Sequence, residues 1–187
     1  MSSFCKVILL YSKRKGQKMK LRKLQMATAA LLLGATMSYA SSEIYLLGGS
    51  TDIGAKSSIN IYGFGYGGTN KDLSKDSQFL YGVNLEYFGG STEFDSVKSG
   101  GNLFLKAGYR YKRVSIYALG GMVYDGFTGS TALGFGYGGS AEVDIWRFKE
   151  SKKHIVLGAK YITASMENAY DFSYTSDNLS AYIKYVW

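Results

Sequence analysis

The side chains best suited to chemistry in this sequence are charged residues that share one alternating face of the predicted strands. Three are acidic and four are basic. The seven are Glu86, Lys106, Arg110, Glu142, Asp144, Lys160 and Lys184. If this face is enclosed, each acid must pair with a base or with trapped water, because an unpaired buried charge is costly. The pattern therefore predicts a polar plug, with a charge-selective channel as the alternative.

A glycine-rich motif, Gly-Phe-Gly-Tyr-Gly-Gly, occupies residues 63–68 and recurs letter for letter at 134–139. Each copy formally satisfies the G-x-G-x-x-G pattern of dinucleotide-binding loops. Such a loop must follow a strand and open a helix, whose N-terminus holds the pyrophosphate. Neither copy leads into a predicted helix. We therefore interpret the glycines as residues facing a tight interior, and expect no bound cofactor.

The positive charge of the chain is concentrated at its start. The formal net charge is +8, but eight of the 22 Lys and Arg residues, and none of the 14 Asp and Glu residues, lie within residues 1–40. The rest of the chain carries 14 basic and 14 acidic side chains. A nucleic-acid binder needs its positive excess in the folded domain, where it can neutralise phosphates. We therefore expect no nucleic-acid partner.

Residues 1–40 have the parts of a cleavable secretory signal. A basic stretch over 18–23 precedes an apolar run over 24–37. That run is about 14 residues long, which is short for a membrane-spanning helix. Small residues, Ser38 and Ala40, stand three and one positions before a cut after Ala40. The sequence therefore predicts export and removal of this leader.

Cleavage would leave residues 41–187 as a single mature domain. The only cysteine, Cys5, would be lost with the leader. The mature chain would then form neither an internal disulfide nor a thiolate metal site. Met19 is a candidate initiator, in which case residues 1–18 are an over-extended start.

From residue 41 onward the dominant pattern has a period of two, which is typical of strands with one apolar face. It is clearest over 78–87, where the apolar side chains of one face are Phe79, Tyr81, Val83, Leu85 and Tyr87. The segments 103–111, 133–145 and 179–187 repeat the pattern. Weaker strands are predicted over 43–50, 57–66, 114–124 and 154–163. Eight strands at this spacing are long enough to cross a bilayer, because a tilted transmembrane strand needs about 9–11 residues.

Two all-β folds fit this alternation. In a soluble sandwich the aromatic face points inward and the charged face is solvated. In a membrane barrel the aromatic face meets lipid, and a glycine-rich face fills a narrow lumen. Aromatic side chains collect at strand ends of one level, as in an interfacial girdle: Tyr109, Tyr111, Trp146, Tyr185 and Trp187. The sequence therefore favours an all-β, eight-stranded, antiparallel up-and-down transmembrane barrel.

The predicted connections differ in length. The connection at 112–113 is very short, whereas 89–101 and 164–177 are long and polar. We expect the first on the periplasmic side and the other two as outer loops. The segment 67–77 departs from this scheme, because it is long for a periplasmic turn.

The end of the chain resembles a known assembly signal. Its alternating apolar residues, closed by a terminal aromatic, are Leu179, Ala181, Ile183, Tyr185 and Trp187. This pattern is similar to the C-terminal strand that the outer-membrane assembly machinery recognises in Gram-negative barrels. With the leader and eight strands, the chain resembles the small eight-stranded outer-membrane barrels, such as OmpX, the OmpA transmembrane domain and the opacity-type adhesins. The resemblance is architectural and covers nearly all of residues 41–187.

The resemblance implies an outer-membrane location, lipid and lipopolysaccharide as surroundings, the assembly machinery as a partner, and a monomer. Rigid barrels display variable loops, so specificity is expected there. A structural or surface-binding role, such as adhesion to a host or cell-surface ligand, is the leading hypothesis. A narrow passive pore is an alternative.

A lipid A-modifying enzyme is a further alternative, since some small barrels of this kind use a histidine with a serine or other polar partner. His154 is the only histidine. It follows a lysine-rich stretch that we place on the periplasmic side, away from lipid A in the outer leaflet. The catalytic pattern of those enzymes does not map onto this sequence. We therefore expect no enzymatic activity, and interpret His154 as part of a solvated basic turn.

Overall fold

The computed structural model describes residues 41–53, 57–91, 96–127, 130–148, 153–168 and 173–187. The regular elements in these ranges are eight β-strands: β1 (Ser41–Ile53), β2 (Ser57–Thr69), β3 (Ser77–Ser91), β4 (Ser96–Tyr111), β5 (Val114–Phe127), β6 (Ser130–Arg147), β7 (His154–Asn168) and β8 (Ser173–Val186). Within these ranges no helix is long and apolar enough to cross a membrane. The predicted leader, with Cys5 and Met19, lies outside the described residues.

The eight strands form one closed barrel in sequence order. Each strand is antiparallel to its neighbours, and β1 pairs with β8 to close the sheet. Following paired residues once around the barrel from Glu43 leads back to Ile53, ten residues farther along β1. This stagger requires strands that tilt relative to the barrel axis. The predicted all-β, up-and-down barrel is confirmed.

The barrel has two distinct ends. We call the end that carries Ser41, Trp187 and the connections β2–β3, β4–β5 and β6–β7 the lower end, and the opposite one the upper end. The connection between β4 and β5 is a two-residue turn, in which Lys112 has a positive φ of 55°. The four weaker strands predicted from the sequence are all present, and each extends beyond its predicted limits.

Side chains alternate between the inside and the outside of the barrel. In β1, Tyr45 and Leu47 are buried, whereas Ile44 and Leu46 between them are 49% and 66% exposed. The same alternation runs around the barrel, and large apolar and aromatic side chains cover the exterior. Exposing so much contiguous apolar surface to water is unfavourable. The exterior is therefore suited to hydrocarbon, and the soluble sandwich is excluded because its aromatic face would be buried.

The interior is filled by side chains of two kinds. Two apolar clusters occupy part of it, one mainly against β4–β7 and the other mainly against β1–β3. The first contains Leu80, Phe104, Tyr117, Leu119, Val123, Ala132, Ile162, Ala164 and Met166. The second contains Tyr45, Leu47, Ile59, Ile61, Phe88 and Tyr182. Most of the other buried side chains are polar or charged, as the next section describes.

The prediction of two long outer loops is wrong. Strand β3 continues to Ser91 and β4 begins at Ser96, while β7 ends at Asn168 and β8 begins at Ser173. Most of 89–101 and 164–177 is therefore paired strand. Polar and glycine residues sustain the ladder because strand pairing needs only backbone groups. Register shifts near Gly90 and Ser99 accommodate the irregular pairing of this hairpin.

Candidate functional site

The seven charged residues identified from the sequence all point into the barrel. Each is buried, with no more than 5% exposed. They form three groups with further polar residues, and we call the three groups together the lumen network. Because the barrel is narrow, each group connects strands that do not pair with one another.

The central group of the lumen network contains two carboxylates and two ammonium groups. The Nζ of Lys184 lies 2.7 Å from a carboxylate oxygen of Glu142 and 3.2 Å from one of Glu43. Lys106 donates a hydrogen bond to Glu43. The hydroxyl of Tyr182 donates a further bond of 3.0 Å to Glu142. The four charges therefore compensate one another without solvent.

The upper group of the lumen network is centred on Glu86. This carboxylate accepts hydrogen bonds from Lys160, from the hydroxyl of Tyr45 at 2.8 Å and from the amide of Asn102 at 2.8 Å. Charge-assisted bonds of this kind are the strongest that side chains make. The ring of Tyr45 also lies 5.1 Å from the ammonium of Lys184, which links this group to the central one.

The lower group of the lumen network is centred on Asp144. Its carboxylate lies 2.5 Å from Lys71, 3.4 Å from Arg110 and 3.1 Å from Arg147. A single carboxylate is thus shared by three basic side chains. The lower mouth therefore carries an excess of positive charge among the described residues that contact Asp144.

The connection between β2 and β3, residues 70–76, folds across the lower mouth. Lys71 is buried and reaches Asp144 on β6, on the far side of the barrel. Arg110 donates hydrogen bonds to two carbonyl groups of the same connection, those of Asp72 at 2.8 Å and Lys75 at 3.3 Å. Residues 70–76 therefore act as a cap, which explains why this connection is longer than a simple turn.

The cap also sets the protonation behaviour of its lysine. Burial lowers the pKa of the Lys71 ammonium, and the neighbouring carboxylate of Asp144 opposes that shift. The carbonyl oxygen of Lys71 accepts a hydrogen bond of 3.1 Å from the hydroxyl of Ser41. The ammonium and the carbonyl group of Lys71 are thus bonded to two different strands, β6 and β1.

The interpretation of His154 as a solvated residue is wrong. Its side chain is 1% exposed at the lower end of β7, and its Nε2 lies 3.8 Å from Asp144. The cause is register, since His154 pairs with Arg147 and Val186 and so falls on the inward face. The histidine is enclosed with Asp144 at the lower mouth, far from the upper end.

Both copies of the glycine motif lie within strands, in β2 and β6, and neither leads into a helix. Their inward glycines make space for lumen side chains. A Cβ on Gly65 would lie 2.2 Å from the ring of Tyr45, the residue that binds Glu86. Among the described residues, no group of three or more His, Cys, Asp or Glu side chains is placed to hold a metal ion.

Sequence reasoning missed four acidic or basic members of the lumen network, namely Glu43, Lys71, Arg147 and His154. Glu43 lies at the start of a weak strand, where inward residues are both polar and apolar. Lys71 lies in a connection, where no alternation exists to assign a face. A signal was nevertheless present for Glu43, because three acids against four bases left one base without a partner.

The aromatic residues predicted to form a girdle lie on the outside of the barrel at its lower end. All five are exposed by more than a third. Tyr185 and Trp187 stack with ring centres 5.7 Å apart. The alternating residues of the last strand, Leu179, Ala181, Ile183, Tyr185 and Trp187, all face outward. This strand therefore presents a continuous apolar face as well as closing the barrel.

No protein-family model matches the chain, and no curated protein sequence matches it either. Among solved structures, the barrel is similar to the crystal structure of Neisserial surface protein A, with a TM-score of 0.45 and 12% identity, covering 78% of this chain and 95% of that one. It is also similar to the outer membrane protein OprG from Pseudomonas aeruginosa, with a TM-score of 0.37 and 13% identity, covering 80% of this chain and 97% of that one. Similarities at this level do not assign a function.

The fold and its exterior define the class of protein. A closed barrel has no unpaired sheet edge, so no backbone group of the sheet is left unsatisfied in lipid. Its apolar exterior suits contact with hydrocarbon. The chain is an eight-stranded membrane-spanning β-barrel. Its architecture is consistent with the small outer-membrane barrels.

Proposed function

We propose that this protein is an exported outer-membrane barrel of a Gram-negative bacterium, with a structural or surface-interaction role. One observation carries the proposal: the interior is occupied by the lumen network and two apolar clusters, while the exterior is apolar. The surfaces left for recognition are therefore the two ends. The aromatic girdle and the cap support placing the lower end in the periplasm, so the upper end faces outward.

The paired hairpins of the upper end are the favoured recognition surface. Strands β3 and β4 extend this surface to Ser91 and Ser96, beyond Tyr87, the last large outward-facing side chain described on β3. A rigid strand pair holds a binding surface in place at a lower entropic cost than a long loop. The proposed partners are a host or cell-surface ligand and lipopolysaccharide, and the outer-membrane assembly machinery is the proposed partner of β8 during insertion.

Replacing residues 92–95 and 169–172 with Gly and Ser is expected to abolish binding of cells to the surfaces that wild-type cells bind, because it removes the side chains that follow β3 and β7 in the sequence at the upper end. Tagged protein should still fractionate with the outer membrane and change its gel mobility on heating. Binding that persists at the wild-type level while the barrel remains folded would contradict the recognition role. A folded monomer that stays dispersed in buffer without detergent would contradict the membrane placement itself.

The pore alternative rests on the charged interior. Eight strands leave an interior just wide enough for side chains, and here the cap and the lumen network occupy the lower mouth. We expect the purified barrel to give no unitary conductance steps in planar bilayers. A variant without the cap lysine, Lys71→Met, should remain silent, because the central group still blocks the path. Stepwise conductance from wild-type protein would favour the pore.

The enzyme alternative finds no support in the position of the single histidine. His154 lies at the lower end with its ring enclosed, and Asp144 beside it is already shared by three cations. In the proposed orientation this group is a membrane thickness away from lipid A. The arrangement therefore favours a non-enzymatic role.

A further inference from the structure

A pocket of about 460 Å³ opens at the lower end, beside the turn between β4 and β5. The pocket is distinct from the lumen network except for Arg147, which belongs to both. Its lining combines three cations, one carboxylate and two apolar residues: Asp76, Tyr111, Lys112, Arg113, Val114 and Arg147. The pocket is therefore amphipathic, with a cationic part and an apolar part.

The cationic part of the pocket is short of anions. Arg147 shares the carboxylate of Asp144 with Lys71 and Arg110, so Asp144 cannot neutralise it fully. Its other hydrogen bond goes to the carbonyl of Lys112 at 3.1 Å. Its buried Nε atom has no hydrogen-bond partner among the described residues. An anion in the pocket would supply the missing negative charge.

The two cations of the turn, Lys112 and Arg113, are exposed, and the turn itself is anchored to the cap. Lys112 has its ammonium 5.3 Å from the centre of the Tyr111 ring, so its stem lies along an aromatic surface. The backbone amide of Lys112 donates a hydrogen bond to the carbonyl of Asp76, which anchors the turn to the cap. Asp76 itself is the only carboxylate lining the pocket, against Lys112, Arg113 and Arg147.

The apolar part of the pocket continues onto the lipid-facing wall. Tyr111 and Val114 are 59% and 52% exposed, and Tyr109 and Ile116, next along the same strands, also face outward. Cationic groups that stand directly below an apolar, outward surface match a ligand with an anionic head and hydrocarbon chains. A free phosphate would make no use of this wall.

We propose that the pocket binds the headgroup of an anionic glycerophospholipid from the leaflet at the lower end. The phosphodiester oxygens accept hydrogen bonds from Lys112, Arg113 and Arg147, and the acyl chains lie along Tyr109 and Ile116. A zwitterionic lipid fits less well, because its own cation would add to a site where cations already exceed carboxylates. This proposal rests on the membrane placement proposed above, and adds a specific lipid class to it.

The test is native mass spectrometry of the purified barrel in detergent, with phosphatidylglycerol or phosphatidylcholine added. The variant combines Lys112→Asn with Arg113→Gln, since Asn tolerates the positive φ of residue 112. We expect one retained phosphatidylglycerol on wild-type protein, and about a tenfold weaker affinity for the variant, as for the loss of strong charge-assisted bonds. Lys75→Gln, which removes an exposed charge from the cap but not from the pocket, should bind like wild type.

Equal retention of phosphatidylglycerol by all three proteins, or no preference over phosphatidylcholine, would overturn the proposal. Displacement of the lipid by glycerol phosphate at equal concentration would show a free-phosphate site instead, and would also overturn it. Heat-dependent gel mobility of each sample separates these outcomes from failure of the membrane placement. A loss of lipid binding in an unfolded sample is thereby recognised and attributed to folding.

Discussion

Replacing Lys184 by methionine is expected to lower the free energy of unfolding by about 3–5 kcal/mol, the usual cost of breaking a buried ion pair from one side. Its ammonium lies between Glu142 and Glu43, and all three side chains are buried. Among the described residues, Glu142 would lose its one ion pair, and Glu43 would keep only Lys106. Urea unfolding in detergent micelles, followed by the heat-sensitive gel shift, measures this change.

The matched control for this variant is Lys75→Met, an identical substitution at an exposed lysine in the cap, which should change the free energy of unfolding by well under about 1 kcal/mol. Adding Glu142→Gln to Lys184→Met should recover part of the loss, because the uncompensated carboxylate is then neutral. If the double variant is no more stable than Lys184→Met alone, the charge compensation described for the central group is incorrect.

Gly138→Ala is expected to lower the free energy of unfolding by about 3 kcal/mol or more, at the upper end of overpacking costs. A Cβ at this position would lie 1.9 Å from the carbonyl oxygen of Tyr161 and 2.9 Å from the Cα of Ile162, both on β7. These are backbone atoms of a paired strand, which cannot withdraw without breaking ladder hydrogen bonds. The measurement is the fraction of protein that reaches the heat-sensitive form on refolding, together with urea unfolding.

The neighbouring glycine is the control. A Cβ on Gly139 would meet nothing nearer than the carbonyl oxygen of Tyr117 at 3.4 Å, which is an ordinary contact. Gly139→Ala should therefore fold like wild type. Similar losses for both variants would indicate that strand propensity, and not the close approach of β6 and β7, explains the glycines in this motif.

The barrel was predictable from the sequence because alternation in 78–87 and in the last strand assigns faces without tertiary information. Apolar residues at every second position, with glycine and charge between them, determine what faces lipid. The residues at which the strands begin and end were harder to predict. Residues 89–91 and 96–101 are polar or glycine-rich, and their pairing follows from the neighbouring strand and not from any local apolar pattern.

The lumen network was only partly predictable for a related reason. Lys106 and Glu142 lie in strands whose pattern is unambiguous, so their inward orientation follows from the sequence. Their partners come from distant strands, and pairing across the lumen depends on a stagger that no local pattern contains. Lys71 was missed because a connection carries no alternation that assigns a face. His154 was misjudged because the basic stretch before it resembles an exposed one.

The pairing of β1 with β8 brings together charged groups from the two ends of the barrel sequence. Glu43 lies on the first strand and meets Lys184 of the last strand and Lys106 of the fourth. In an open sheet that has not yet joined β1 to β8, Glu43 and Lys184 lie on opposite edges, and each requires water or another charged partner. Pairing of β1 with β8 and dehydration of the interior therefore occur together. A partly inserted chain must remain hydrated along its inner face until these two strands pair.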